Sequence, residues 1–133
     1  MNSNAPYKNN LEHLNDEFHR LDFLLERAIT HFRSYRRHDK PDEFRGFYIS
    51  DKEIDDMMAS PNKPLEKIWV EAEGKIAALR SEIECRINES QRYGVILRLP
   101  HLRSVFSLSP LETDLLLLSL APEWDQRYQK LFA

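Results

Sequence analysis

Leu11, Leu14, Phe18, Leu21, Leu25, Ala28, Phe32 and Tyr35 recur at alternating intervals of three and four residues. That spacing lines apolar side chains along one stripe of an α-helix. Asn9 and Glu12 supply a capping pair at its start, and Lys40-Pro41 ends the run. At about 1.5 Å per residue such a helix extends on the order of 40 Å, longer than a small core requires. Leu65, Trp69, Ala72, Ile76, Leu79 and Ile83 repeat the spacing in a second stretch, entered near Pro64 and ending around Tyr93-Gly94. Two long stripes pair most simply as an antiparallel hairpin, with Leu24, Ile29, Ile68 and Ile87 widening the seam toward further helices. A coiled coil between chains is the alternative reading of the same pattern.

Between the long stretches lies a bridging segment, 41–63. Phe44, Phe47, Tyr48 and Ile49 predict an extended or turning stretch anchored by aromatics, with Gly46 easing a bend. Ser50 and Glu53 then form a capping box for a short helix whose inward face is Ile54, Met57 and Met58, closed by Ser60 to Pro64. At the far end, two short amphipathic segments meet at Ser107-Leu108-Ser109-Pro110, and the second opens with serine, proline and glutamate in N-cap order. Leu115, Leu116, Leu117, Leu118 and Leu120 are apolar around nearly the whole helix, so the domain itself or a partner must cover them. Lys130-Leu131-Phe132-Ala133 carries no helix-closing residue, and the natural protein is expected to continue past it. The fold class is therefore mainly α, a long antiparallel hairpin plus a compact winged-helix-like C-terminal part. A flexible N-terminus over 1–9 precedes a single helical domain over 10–133, whose end, 97–133, is helix-turn-helix-like.

Composition narrows the class. A chain of 133 residues buries roughly 68% of the surface its unfolded form exposes, enough for a core without staples. The single Cys85 excludes an internal disulfide and fits a reducing, cytoplasmic setting. A formal charge of −3 argues against general nucleic-acid binding. No apolar run approaches the roughly 20 residues of a membrane span, and the polar first ten residues lack the apolar centre of a signal peptide.

Candidate chemistry is sparse. Glycine occurs only at Gly46, Gly74 and Gly94, so neither a phosphate-binding loop nor a dinucleotide fingerprint can be written. The five histidines never form a zinc-protease motif, and Glu12, His13, Asp16 and Glu17 read as decoration of a solvated helix face. Ser104, Ser119 and Cys85 lack the context of a nucleophile. Asp55-Asp56 and Glu71 with Glu73 read as exposed charges rather than an acid–base pair. Catalytic, cofactor-binding and metal-binding residues are accordingly expected to be absent from this chain. The candidate interaction residues are Phe44, Tyr48, Asp51, Asp55 and Asp56, an acidic surface beside aromatics suited to a basic client or a neighbouring subunit.

The helix-turn-helix pattern raises DNA binding as another reading, with Arg92, Arg98, His101 and Arg103 adding positive charge. Against it, the leucines of the second helix leave chiefly Glu112, Thr113 and Asp114 outward, and carboxylates repel phosphates. Arg33, Arg36, Arg37 and Lys40 offer a phosphate contact, but a basic last turn also complements the C-terminal dipole of the first helix, and that reading is preferred.

The stretch FSLSPLETDLLLLSLAPEWD at 106–125, followed by Arg127-Tyr128, resembles the N-terminal region of a family of bacterial AAA+ ATPases. That family includes the ATPases encoded with extracellular contractile injection systems. FRGFYISDKEID at 44–55 is similar to a second stretch of the same region. Trp124 stands where a smaller aliphatic residue is expected. The resemblance implies a helical, winged-helix-like domain ahead of an AAA+ module, with the phosphate loop, acidic magnesium-binding residue and arginine finger all beyond Ala133. It implies a parent that uses ATP and magnesium to remodel, assemble or load a protein complex, in which this non-catalytic domain contacts a client or assembly partner. Self-association would come through the parent's AAA+ module. Neither nucleic acid nor membrane is an expected partner. A stand-alone helical interaction module is the alternative, and a degenerate helix-turn-helix regulator a further one.

The purified 133-residue chain is expected neither to bind nor to hydrolyse ATP, because it offers no phosphate-cradling loop. An ATP turnover abolished by a point substitution within these residues would contradict this.

Overall fold

The computed structural model describes residues 5–36 and 63–132, with side chains described over 5–32 and 70–132. Among the described residues there are five helices and no strand: α1 (Asn10–Arg36), α2 (Lys63–Arg92), α3 (Arg98–Phe106), α4 (Pro110–Trp124) and α5 (Gln126–Phe132). The mainly helical fold class read from the sequence is the one observed. The bridging segment, its short helix, and with them Phe44, Tyr48, Asp51, Asp55 and Asp56, lie outside the described residues.

Local signals start and stop these helices. The Glu12 N–H donates to Asn9 Oδ1 at 2.9 Å, while the Glu12 carboxylate accepts from the backbone N–H of Lys8 at 2.9 Å. This is the expected capping pair, its second bond reaching one residue further back. Gly94, at φ 74°, turns the chain out of α2 in the left-handed conformation that glycine adopts without strain. At α4 the capping box closes fully: Ser109 Oγ accepts from the Glu112 N–H at 3.2 Å, and the Glu112 carboxylate accepts from the Ser109 N–H at 2.7 Å. Pro110 sits at the first helical position, where its missing N–H costs nothing.

The long helices α1 and α2 run antiparallel, since Glu12 and Asp16 meet Arg86 while Arg27 meets Glu73 at the other end. Phe18, Leu21, Ile76 and Ile83 are buried in or beside their seam. Leu11 belongs to the same stripe, yet it is 59% exposed. Helical periodicity fixes which face a side chain shares, not whether a neighbour reaches far enough to cover it. The side chains of Tyr35, Leu65, Ile68 and Trp69 lie outside the described set.

A second layer covers the N-terminal half of α1. Phe18 and Leu21 pack with Leu99 of α3, Leu117 and Ala121 of α4, and Tyr128 of α5. Trp124, the departure from the expected aliphatic residue, stacks on Phe18 with ring centroids 4.9 Å apart and so joins this core. Tyr128 donates its hydroxyl to Asp22 on α1, tying α5 to the same helix.

The lead-in expected to be flexible is anchored over its described part. Tyr7 is fully buried against Ile83, Ile87 and Leu97. Its N–H donates to Ser90 Oγ at 2.7 Å, and its hydroxyl donates to Asp16 at 2.9 Å. The Arg86 guanidinium lies 3.9 Å over the Tyr7 ring and donates to the Ala5 carbonyl at 2.9 Å. An aromatic near a chain end can supply core that the helical pattern alone does not show.

Replacing Leu21 with Asp places a carboxylate where the side chain is about 1% exposed, and should cost roughly 3 kcal/mol or more. Urea titration followed by circular dichroism checks it, and an unchanged midpoint would mean that the seam is not a core.

Candidate functional site: the leucine face of the helix-turn-helix

The helix-turn-helix is α3, a turn through Ser107 to Ser109, and α4. Ser107 takes the left-handed conformation at φ 52°, and the Leu108 N–H returns to the Arg103 carbonyl at 3.0 Å. The turn directs Leu117, Thr113 and Ala121 of α4 inward, all buried. Leu118 is partly buried against the same core, and the other four leucines point away from it: Leu111 is 69%, Leu115 53%, Leu116 38% and Leu120 39% exposed. Leu102, Val105 and Phe106 of α3 are exposed as well. The expectation that the domain or a partner covers the α4 leucines is thus met by the domain on one side of the helix only.

Between α1, α3 and α4 this surface sinks into a groove of about 410 Å³ lined by Leu14, Arg98, Leu99, Leu102, Leu116, Leu117, Ser119 and Leu120. An apolar concavity of this size, next to exposed leucines, is the form of a site that accepts apolar side chains. Arg98 brings the positive charge to its wall.

Beneath the face lies a polar network that sequence reasoning placed on the solvent. His13 is fully buried, and Glu17 and Arg20 nearly so. Arg20 donates from Nε to the Glu17 carboxylate at 2.9 Å and from Nη2 to Asp114 Oδ1 at 2.6 Å. Arg80 approaches the other Asp114 oxygen at 3.4 Å. Asp114, expected to face outward, is therefore a joint between α1, α2 and α4, and Thr113 beside it is buried with its hydroxyl donating to the Ser109 carbonyl at 2.9 Å. Of the three polar residues expected outward on α4, Glu112 alone stays there. Glu12 and Asp16, the other half of the supposed solvated face, instead hold Arg86 at 2.6 Å each.

Electrostatics follows the burial. Burial pushes the Glu17 carboxyl up, but the His13 ring beside it and the adjacent Arg20 cation more than reverse this and hold it below its ordinary value. Arg20 is likewise raised, since Asp114 and Glu17 outweigh its desolvation. The Tyr7 hydroxyl is pushed far above its ordinary value, first by burial and then by its bond to Asp16. His13 Nε2 stands 3.6 Å from Glu17, and its ring meets Tyr7 edge-on at 5.0 Å. A crevice of about 40 Å³ borders this network, lined by Glu17, Arg20, Arg80, Glu84, Arg103 and Asp114 among others. Its three guanidinium groups face three carboxylates, so it offers no net charge to an ion. Among the described residues no group of three His, Cys, Asp or Glu side chains is arranged to hold a metal, and no helix is long and apolar enough to cross a membrane.

Sequence signals for the network existed but were ambiguous. His13, Glu17 and Arg20 succeed one another at helical spacing beside the apolar stripe, which reads equally as surface decoration. The partner that distinguishes the readings, Asp114, lies 94 residues away.

Asp114→Asn takes the α4 carboxylate away from the buried Arg20, which then keeps only Glu17 on its own helix, and should cost about 2 kcal/mol. Glu17 gives a separate pH signature. Its lowered folded-state value contributes stability above the unfolded carboxyl value of 4.5, lost as pH falls through the folded value. Thermal melts of Glu17→Gln are expected to show a lower melting temperature at neutral pH and a shallower fall below pH 4.5 than the wild type. Parallel acid limbs in the two proteins would contradict the role given to Glu17.

No curated protein and no solved structure matches the chain significantly. A family model described as "winged helix domain, variant" matches residues 1–133. That match spans all five helices described above, and the chain belongs to the winged helix domain, variant, family.

Proposed function

We propose that this winged-helix domain is a non-catalytic protein-docking module that engages a client or assembly partner through the leucine face of α3 and α4. The observation that carries the reading is that face itself. Leu111, Leu115, Leu116 and Leu120 stand outward on the helix that would enter a DNA groove in a nucleic-acid reader. α4 has no lysine or arginine between Pro110 and Trp124, and its outward charges are Glu112 and Glu123. Such a helix is repelled by phosphates and lacks donors for base edges, whereas exposed leucines gain free energy when another protein covers them.

The resemblance of 44–55 and 106–128 to the N-terminal region of AAA+ ATPases supports a finer reading. In it, the domain positions partners for a cytoplasmic motor that hydrolyses ATP to remodel or load a protein complex, with ATP and magnesium bound elsewhere in the parent. The acidic bridging segment, with Phe44, Tyr48, Asp51, Asp55 and Asp56, is a further candidate contact in the same scheme. DNA binding is the competing reading that family membership leaves, and the composition of α4 opposes it.

Leu116→Ser combined with Leu120→Ser changes exposed side chains and should leave the far-ultraviolet spectrum and melting curve nearly unaltered. In the full-length parent it is expected to reduce co-purification with the products of its neighbouring genes by roughly tenfold, as loss of a central anchor does. Unchanged co-purification, or tight salt-dependent binding of duplex DNA by the wild type, would overturn the proposal.

A further inference from the structure

Resting on the docking role of the leucine face, we infer that its assembly partner is a second copy of this chain, paired across a two-fold axis through α3 and α4. On α4, Glu112, Leu116, Leu120 and Glu123 follow one another at intervals of four, four and three residues and share one outward stripe. On α3, Arg98, Leu102 and Val105 form the matching outward stripe, with His101 beside Leu102. Arg98, Leu102, Leu116 and Leu120 line the groove itself, and Glu112 and Glu123 stand within one helical turn of it.

Charge on the face is segregated by helix. α3 contains no acidic residue and α4 no lysine or arginine. The other charged members are committed inside the domain: Arg103 donates to Glu84 at 2.6 Å, and Asp114 is taken by Arg20. Arg98 on α3, and Glu112 and Glu123 on α4, remain outward. The face thus carries opposite charge on two separate helices, flanking leucines. A strongly acidic or basic partner would meet repulsion from one of the two helices. A copy of the face turned by a two-fold axis that passes between α3 and α4 does not, because Glu123 of each copy then comes to Arg98 of the other while the leucine stripes meet between them.

Sedimentation velocity of the 133-residue chain over a concentration series tests this. The wild type is expected to show a reversible monomer–dimer equilibrium. Arg98→Glu and Glu123→Arg, each folded by circular dichroism, are each expected to weaken it by at least about tenfold, through two repulsive contacts per dimer. Mixing the two variants must restore dimer. In the mixed pair the carboxylate introduced at position 98 of one copy meets the guanidinium introduced at position 123 of the other, and the native Glu123 of the first meets the native Arg98 of the second. A wild type that stays monomeric into the high micromolar range, or a mixture no more associated than its components, overturns the inference. If pairing fails in this way while Leu116→Ser with Leu120→Ser still reduces co-purification by the parent, the docking role stands and its partner is a different chain. If the double leucine variant changes neither measurement, the docking role fails as well.

Discussion

Arg20 on α1 and Asp114 on α4 form the joint on which the placement of the helix-turn-helix depends. Leu117, Ala121 and Tyr128 press α4 and α5 onto Phe18 and Leu21 without fixing how α4 is rotated about its own axis. A 2.6 Å ion pair between largely buried groups does fix it, because few rotations bring a short aspartate side chain onto the guanidinium. Glu17 completes the charge on the other side of Arg20. Sliding α4 off this position would leave Arg20 to Glu17 alone and break a largely buried charged hydrogen bond, so the pair resists slippage more strongly than its net contribution to stability implies.

Once that rotation is set, the outward leucines are a consequence. α4 is apolar over most of its circumference, so placing Thr113, Asp114, Leu117 and Ala121 against the domain sends Leu111, Leu115, Leu116 and Leu120 the other way. A domain gains nothing from leucines in water, and their surroundings show how they are kept serviceable. Ser109 and Glu112 cap the helix start, and the groove wall is shared with Leu14 and Leu102 on separately anchored helices. These contacts fix the face to the rest of the domain, and under the proposed docking role they would lower its ordering cost.

The start of α1 and the end of α2, one to two turns further along, are held by a different device. Arg86 gathers Glu12, Asp16, the Ala5 carbonyl and the Tyr7 ring around one guanidinium. The lead-in is thereby fastened across the start of α1 and the end of α2, and Tyr7 fills space between Ile83, Ile87 and Leu97. Five donors in a planar fork suit this task, and a lysine could not serve so many acceptors in one plane.

The sequence by itself determined the local events. Asn9 with Glu12 and Ser109 with Glu112 set two helix starts, because a cap needs residues only three apart. The stripes of α1 and α2 set the hairpin, because helical period is written along the chain. Tertiary structure decided everything that needed a distant partner. His13, Glu17 and Asp114 look like surface charge until Arg20 meets a residue 94 positions away. Leu11 looks like core until the covering layer falls short of it. Leu116 and Leu117 are chemically identical neighbours, and the turn of about 100° between them, fixed by where Asp114 meets Arg20, leaves one at the surface and the other buried.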